Sequence, residues 1–169
     1  MGVCQCIVSV VRKSTMLRRA KEMSWQPKVT ERNPEFHRQK YLPKGEAILK
    51  QILTKRGLEW ERFGEIGDDE GKYAYMGVIK GTIRRFVLLA REKPYGNLVG
   101  AGLDILQLCS RERIPLLIYV DSSLSVYQFN PDVVKEKATI SFRYGKTYYD
   151  FPLSLGKNFE KLIAEQMWK

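Results

Sequence analysis

The side chains with which this chain could do chemistry are carboxylates, lysines and arginines. Its only histidine is His37, and its three cysteines, Cys4, Cys6 and Cys109, form no Cys-x-x-Cys pair, so a zinc site is not expected. Any metal would therefore have to be held by carboxylates, which are ligands that Mg²⁺ prefers. The residue types predict that no metal or other cofactor is bound, with Mg²⁺ as the alternative.

Positive charge is concentrated at the start of the chain. Residues 1–45 contain ten Lys or Arg and three Glu, a net charge of +7, whereas the whole chain carries +10, so the remaining 124 residues carry +3. Lysine and arginine contacts to phosphates release condensed counterions, so this asymmetry predicts a polyanion partner. The residues of this segment that we expect to contact nucleic acid are Arg18, Arg19, Lys21, Lys28, Arg38, Lys40 and Lys44. The alternative is a solvated tail, part of which precedes a later start at Met16 or Met23.

Composition limits the class of protein. A chain of 169 residues with 44% hydrophobic residues suits one domain with a substantial core. It has no apolar run long enough to span a bilayer, and residues 2–11 lack the leading basic region of a secretory signal, so we expect no membrane association. The odd cysteine count argues against a disulfide framework and favours a cytoplasmic protein.

The elements that would position these side chains follow from the apolar pattern. Apolar residues at 47, 48, 49, 52 and 53, followed by Gly57, predict a helix over 45–56. The other predicted elements are strands at 58–66, 72–80 and 83–91, a helix at 98–112, strands at 115–121 and 124–129, a hairpin at 138–151 and a helix at 156–168.

This order predicts an α+β fold in which helices flank a central mixed β-sheet. The elements run α-β-β-β-α-β-β, followed by a C-terminal β-hairpin and a helix. Residues 1–44 are predicted to be a basic extension that is disordered in part, and residues 45–169 a single domain.

Residues 45–130 resemble the restriction-endonuclease-like, or PD-(D/E)XK, nucleases, and most closely the archaeal Holliday-junction resolvases and RecB-type members. The likeness lies in the order of elements, in Glu46 on the opening helix, in the KRGLEWERFG turn into the first strand, and in the RIPLLIYV and YQF segments. It implies a restriction-endonuclease-like fold. It also implies a Mg²⁺ site built from an Asp on the second strand and a Glu-x-Lys on the third.

The residues at those motif positions do not fit that site. The Glu-x-Lys register falls on Leu89-Ala90-Arg91, and the Asp position falls near Met76-Gly77. Leucine cannot ligate Mg²⁺, and arginine stays protonated and cannot act as a base. The resemblance therefore implies a nuclease scaffold with a degraded motif, and we assign no catalytic role to these positions.

Other acids could rebuild a metal site elsewhere on this scaffold. The alternative set is Glu46, Asp68 or Asp69, and Glu92, with Lys93 beside them. Glu92 shares a strand face with Ala90, so it does not stand in the Glu-x-Lys register. The acidic GDDEG turn that holds Asp68 and Asp69 also has the composition of an ordinary solvated turn.

A second group of cations flanks the turn between the second and third strands. Lys80, Arg84, Arg85 and Arg91 are predicted nucleic-acid contacts, because aromatic residues that could stack on bases are interleaved with them. The alternative is a sheet edge protected by charge. The aromatic residues of the C-terminal hairpin favour a core or an oligomer interface, so a homodimer is a further expectation.

Three functions follow in order of preference. The first is a catalytically inactive nuclease-fold protein that binds nucleic acid, with DNA expected before RNA, or binds a nucleic-acid-processing partner. The second is an active Mg²⁺-dependent endonuclease or junction resolvase with relocated carboxylates. The third is a homodimeric structural module that does not bind nucleic acid.

Overall fold

The computed structural model describes residues 34–68, 71–143 and 145–165. The helices among them are α1 (Pro34–Thr54), α2 (Leu103–Glu112), α3 (Pro131–Lys137) and α4 (Phe159–Ala164). The strands are β1 (Trp60–Asp68), β2 (Gly71–Ile79), β3 (Arg85–Arg91), β4 (Leu98–Gly102), β5 (Leu116–Val120), β6 (Ser125–Phe129), β7 (Thr139–Arg143), β8 (Lys146–Pro152) and β9 (Lys157–Asn158).

The main sheet has six strands in the order β1-β2-β3-β5-β6-β9. Strands β3 and β5 are parallel, and the other neighbours are antiparallel. A smaller antiparallel sheet has the order β4-β8-β7. The predicted α+β class, with a central mixed sheet flanked by helices, is confirmed.

Strand β3 lies at the centre of the core because it is apolar on both faces. Leu88 and Ala90 pack with Leu49 and Leu53 of α1, in a core cluster on one face of the sheet. Leu89 packs in the other cluster, which contains residues of α2 and the smaller sheet. A strand covered on both faces reads as a continuous apolar run, which is why the sequence predicted β3 correctly.

The first helix is longer than its predicted span. It begins at Pro34 rather than at residue 45, and Tyr41 and Leu42 are buried against the sheet. Residues 34–44, which the sequence analysis assigned to the extension, are therefore helical. The earlier part of the predicted extension lies outside the described residues, and its disorder stays a prediction.

Two further differences concern the second half of the chain. The segment predicted as a helix over 98–112 begins as β4, which pairs with β8 and buries the alternating residues Val99 and Ala101, and only then becomes α2. The short helix α3 was not predicted. Its signal was Asn130, whose side chain accepts hydrogen bonds from two backbone amides of α3, followed by proline at the first helical position.

The structure contains the predicted hairpin, formed by β7 and β8, and the last predicted helix, but the bounds of both differ from the prediction. Helix α4 covers six residues of the predicted 156–168, after the two-residue strand β9, and residues 166–168 lie outside the described part.

Among the described helices, none has the length and apolar character that a membrane crossing needs.

Candidate functional site

A guanidinium held between two carboxylates lies where α1 meets β1 and β2. Arg62 Nη2 donates to Glu46 Oε2 at 3.0 Å, and Arg62 Nη1 donates to Glu65. The centre of the same guanidinium lies 3.9 Å from the centroid of the Tyr75 ring. We call these four residues the Arg62 cluster.

An irregularity in β1 makes this cluster possible. Residues three apart in a regular strand point to opposite faces, so Arg62 and Glu65 should be separated by the sheet. The pairing with β2 shifts between Arg62 and Gly64, which leaves Phe63 as an extra residue. A bulge of this kind re-aims the flanking side chains, and here it brings Arg62 and Glu65 to the same face.

The electrostatics of the cluster keep its arginine charged. Burial lowers the pKa of Arg62, but the hydrogen bonds and charge of Glu46 and the bond to Glu65 outweigh it, so the pKa is raised. The pKa of Tyr75 is also raised, because burial and the negative charges of Glu46 and Glu65 outweigh the lowering effect of Arg62. A permanent cation thus stands between the two acids.

Gly77, one of the two residues near which the second-strand aspartate was expected, has no room for a side chain. Gly77 pairs with Phe86 across β2 and β3, and a Cβ atom at residue 77 would lie 2.6 Å from ring atoms of both Phe86 and Trp60. These two rings meet edge to face with centroids 5.3 Å apart. A carboxylate side chain therefore does not fit at residue 77 without displacing them.

The Glu-x-Lys positions of β3 also lack a metal-binding side chain on both faces of the strand. Leu89 lies on the face opposite α1, whereas Glu46 belongs to α1 itself. The face that α1 covers presents Leu88 and Ala90, which are both fully buried and aliphatic. Neither face of β3 offers a carboxylate to a cation.

Arg91 ties the two sheets together. Its Nη1 donates to the carbonyl of Ala90 at 2.8 Å, and its Nη2 donates to the carbonyl of Gly100 on β4. A nucleic-acid contact by Arg91, as predicted from sequence, would compete with these bonds.

Nearby, Asp150 of β8 is held by the side chains of β7. Arg143 donates to both of its carboxylate oxygens, at 2.9 and 3.1 Å, and Ser141 Oγ donates at 2.8 Å. Burial alone would raise the pKa of Asp150, but these bonds and the charges of Arg143 and Arg91 outweigh it and lower the pKa.

The structure describes only some residues of the relocated metal set. Glu46 belongs to the Arg62 cluster, Glu92 and Lys93 are exposed after β3, and Asp68 ends β1. Asp69 lies outside the described residues, so the relocated site stays a prediction. Within residues 34–68, 71–143 and 145–165, no three His, Cys, Asp or Glu side chains are grouped as metal ligands.

The structure describes only some of the basic residues that were predicted to contact nucleic acid in the first 45 residues. Arg18, Arg19, Lys21 and Lys28 lie outside the described residues, as does the side chain of Arg38. Lys40 and Lys44 are exposed on α1, and their ammonium groups lie 5.5 and 5.2 Å from the centroid of the Tyr41 ring. Their predicted role in nucleic-acid binding is untested.

The cations beside the β2–β3 turn line an open groove of about 1120 Å³ at one end of the main sheet. Arg84 and Arg85 belong to it, whereas Lys80 pairs with Glu59 at 3.1 Å. Arg113 and Gln128, which were not predicted from sequence, line the same groove from the end of α2 and from β6. Only the order β3-β5-β6 in the sheet brings these segments together.

The C-terminal hairpin is part core and part surface. Tyr148 and Phe151 are buried, which matches the expectation of a core role for its aromatic residues. Ile140 and Phe142 alternate on β7, at the edge of the smaller sheet, and are exposed. The homodimer expected from this hairpin is untested.

The chain is similar to solved structures but not to known families by sequence. No protein-family model matches the chain, and no curated protein matches it. A nuclease from a fusselovirus is similar in structure, with 16% sequence identity and a TM-score of 0.45, over 86% of this chain and 99% of that chain.

Proposed function

We propose that this protein binds nucleic acid through its basic amino-terminal segment and that its nuclease-like domain does not cleave it. The observation that carries the proposal is the charge asymmetry, +7 in residues 1–45 against +3 in the remaining 124. A concentrated cationic segment binds phosphates with an affinity that falls steeply with salt. DNA is the expected partner, and RNA is the alternative.

Three features of the domain support binding without cleavage. Near the expected second-strand aspartate, residue 76 is Met and Gly77 has no room for a side chain, and β3 presents Leu88 and Ala90 on the face beside α1. In addition, Arg62 holds a fixed positive charge against Glu46, a member of the alternative relocated metal set. A hydrated divalent cation would have to displace that guanidinium.

The proposal is tested by fluorescence anisotropy with labelled single-stranded and duplex DNA and RNA. The affinity of the full chain should fall between about 50 and 200 mM salt. Replacing Arg18, Arg19 and Lys21 by Glu should reduce the slope of log K against log salt by about 2 or more for single strands, from about 0.7 for each lost contact.

A matched control separates this segment from total charge. The exposed residues Lys50, Lys135 and Lys137, each replaced by Glu, give the same change in net charge on the domain. We expect this variant to retain most of the slope. No binding of any nucleic acid by the unmodified chain at low salt would refute the proposal.

A second candidate, Mg²⁺-dependent cleavage, is favoured by one observation. Glu46 of α1 and Glu65 of β1 both accept hydrogen bonds from the guanidinium of Arg62, so two carboxylates from different elements already face one cation. Incubation with Mn²⁺ and branched or single-stranded DNA decides between the two. Cleavage that is lost in Glu46→Ala or Glu92→Ala would establish this candidate in place of the first.

A further inference from the structure

The groove lies at the end of the main sheet opposite the Glu-x-Lys register. It opens at the amino end of β3, beside Arg84 and Arg85, whereas the Glu-x-Lys register falls at the carboxyl end. Its wall is completed by the loop after α2 and by β6. Its volume of about 1120 Å³ exceeds the range of roughly 300–1,000 Å³ that is usual for drug-sized ligands.

Charge in the groove favours an anion. Three arginines, Arg84, Arg85 and Arg113, line it against one acid, Asp132. Asp132 is engaged by Ser110, whose Oγ donates to it at 2.6 Å. Arg85 Nη1 lies 3.6 Å from the Glu112 carboxylate, and its Nη2 donates to the Glu112 carbonyl at 3.5 Å, while both side chains are more than a third exposed.

Two polar side chains of the lining are available to a ligand. Among residues 34–68, 71–143 and 145–165, neither Arg113 nor Gln128 has a side-chain hydrogen bond or ion pair. Gln128 is a half-buried residue of the groove wall. An amide can donate to and accept from a base edge, whereas a guanidinium pairs with phosphate.

The turn at the rim of the groove is held by two hydrogen bonds of Thr82 and exposes an apolar side chain. Thr82 Oγ1 donates to the carbonyl of Ile79 at 2.7 Å and accepts from the amide of Arg84 at 3.0 Å. Between them, Ile83 is 93% exposed. An exposed aliphatic group beside arginines offers a contact for the face of an unpaired base.

We infer that this groove binds a single strand of nucleic acid, with Arg84, Arg85 and Arg113 on its phosphates and Gln128 on a base edge. This inference rests on the proposed function. A groove of about 1120 Å³ holds only a few nucleotides, so it is too small to seat a duplex and has room for a single strand. The groove therefore supplies a preference for unpaired nucleic acid that the amino-terminal segment, which reads charge alone, does not.

The test uses the full chain and the variant Arg113→Gly. Arg113 ends α2 with φ of 57°, a left-handed conformation that glycine adopts more easily, so the variant removes the guanidinium without endangering the fold. We expect the Kd for a labelled single strand to rise about fivefold to tenfold, and the Kd for the duplex to change by less than about twofold. Arg111→Ala, an exposed arginine of the same helix outside the groove, is the matched control and should leave both unchanged.

A second variant and a crosslink complete the test. Gln128→Glu places a carboxylate in the groove and should weaken single-strand binding by more than about tenfold through repulsion of phosphate. A photoreactive single strand should crosslink to peptides spanning residues 82–86 or 113–131. If the unmodified chain binds single strands but both groove variants bind them equally well, and crosslinks occur only within residues 1–44, the groove inference is wrong while the proposed function stands. If the unmodified chain binds no nucleic acid, both are wrong.

Discussion

Arg62 on β1 donates a hydrogen bond to Glu46 on α1 across 3.0 Å, and it thereby joins the first helix to the edge of the main sheet. The guanidinium also donates to Glu65 and stacks against Tyr75. Each charged member is about a third exposed, so the group is neither a surface ion pair nor a fully buried one. The permanent positive charge of Arg62 therefore lies between two acidic side chains, Glu46 and Glu65.

Removing that positive charge should destabilise the domain. Arg62→Met removes the guanidinium that donates to both Glu46 and Glu65, and we expect the free energy of unfolding to fall by about 1–2 kcal/mol. Urea denaturation measures the change. The double variant Arg62→Met with Glu46→Gln should recover part of the loss, since only one of the two carboxylates then loses this donor. Equal stability of Arg62→Met and the unmodified chain would contradict this role.

The closed position at Gly77 yields a prediction about packing. Gly77→Ala forces a methyl group into ring atoms of Trp60 and Phe86 at 2.6 Å, and we expect a loss of about 2–3 kcal/mol in the free energy of unfolding. Gly64→Ala on the neighbouring strand is the control. Its Cβ would meet Met76 at an ordinary 3.5 Å, so a change within about 0.5 kcal/mol is expected. Similar stabilities of the two variants would mean that residue 77 has room for an acid.

The Arg143–Asp150 pair should make stability depend on pH. Because the pKa of Asp150 is lowered in the folded chain, its carboxylate contributes stability above the unfolded value of about 3.9, and this is lost as the pH falls through the folded value. Asp150→Asn should therefore cost about 1–3 kcal/mol near neutral pH and less below about pH 4. Urea denaturation across this range measures the difference, and a difference that grows on acidification would be the wrong sign.

Cys109 should be inert in the folded chain. It is fully buried, and burial raises the pKa of its thiol to about 12, so almost no thiolate forms near neutral pH. In a Cys4→Ser, Cys6→Ser background, a thiol reagent should label nothing until denaturant is added, and then one thiol per chain. Rapid labelling of the native variant would show that α2 opens readily from the sheet.

Much of the fold was readable from the sequence because β3 and β5 are continuous apolar runs between clear turns. Strand β4 was misread as helix, since its two glycines looked like weak points in a helix rather than strand residues pairing with β8. The beginning of α1 was missed because Pro34 and Pro43 suggested an extension, although Pro43 lies within the helix.

The candidate sites were less predictable, for a physical reason. Glu46 was singled out from sequence, but its partner Arg62 was not. The bulge at Phe63 brings Arg62 and Glu65 to the same face, and the sequence of this nine-residue strand does not indicate where a bulge lies. Likewise Arg113 and Gln128 reach the groove only through the strand order of the main sheet. Spacing along a chain does not report such long-range placement.

The central claim is that the protein binds nucleic acid and leaves it intact. Its most direct test is one sample of the full chain with labelled DNA and Mn²⁺ at low salt, divided between a native and a denaturing gel. We predict a shifted band that disappears as salt is raised toward about 200 mM, together with full-length DNA on the denaturing gel. Cleaved DNA whose appearance requires Glu46, or the lack of any shifted band at low salt, would contradict the claim.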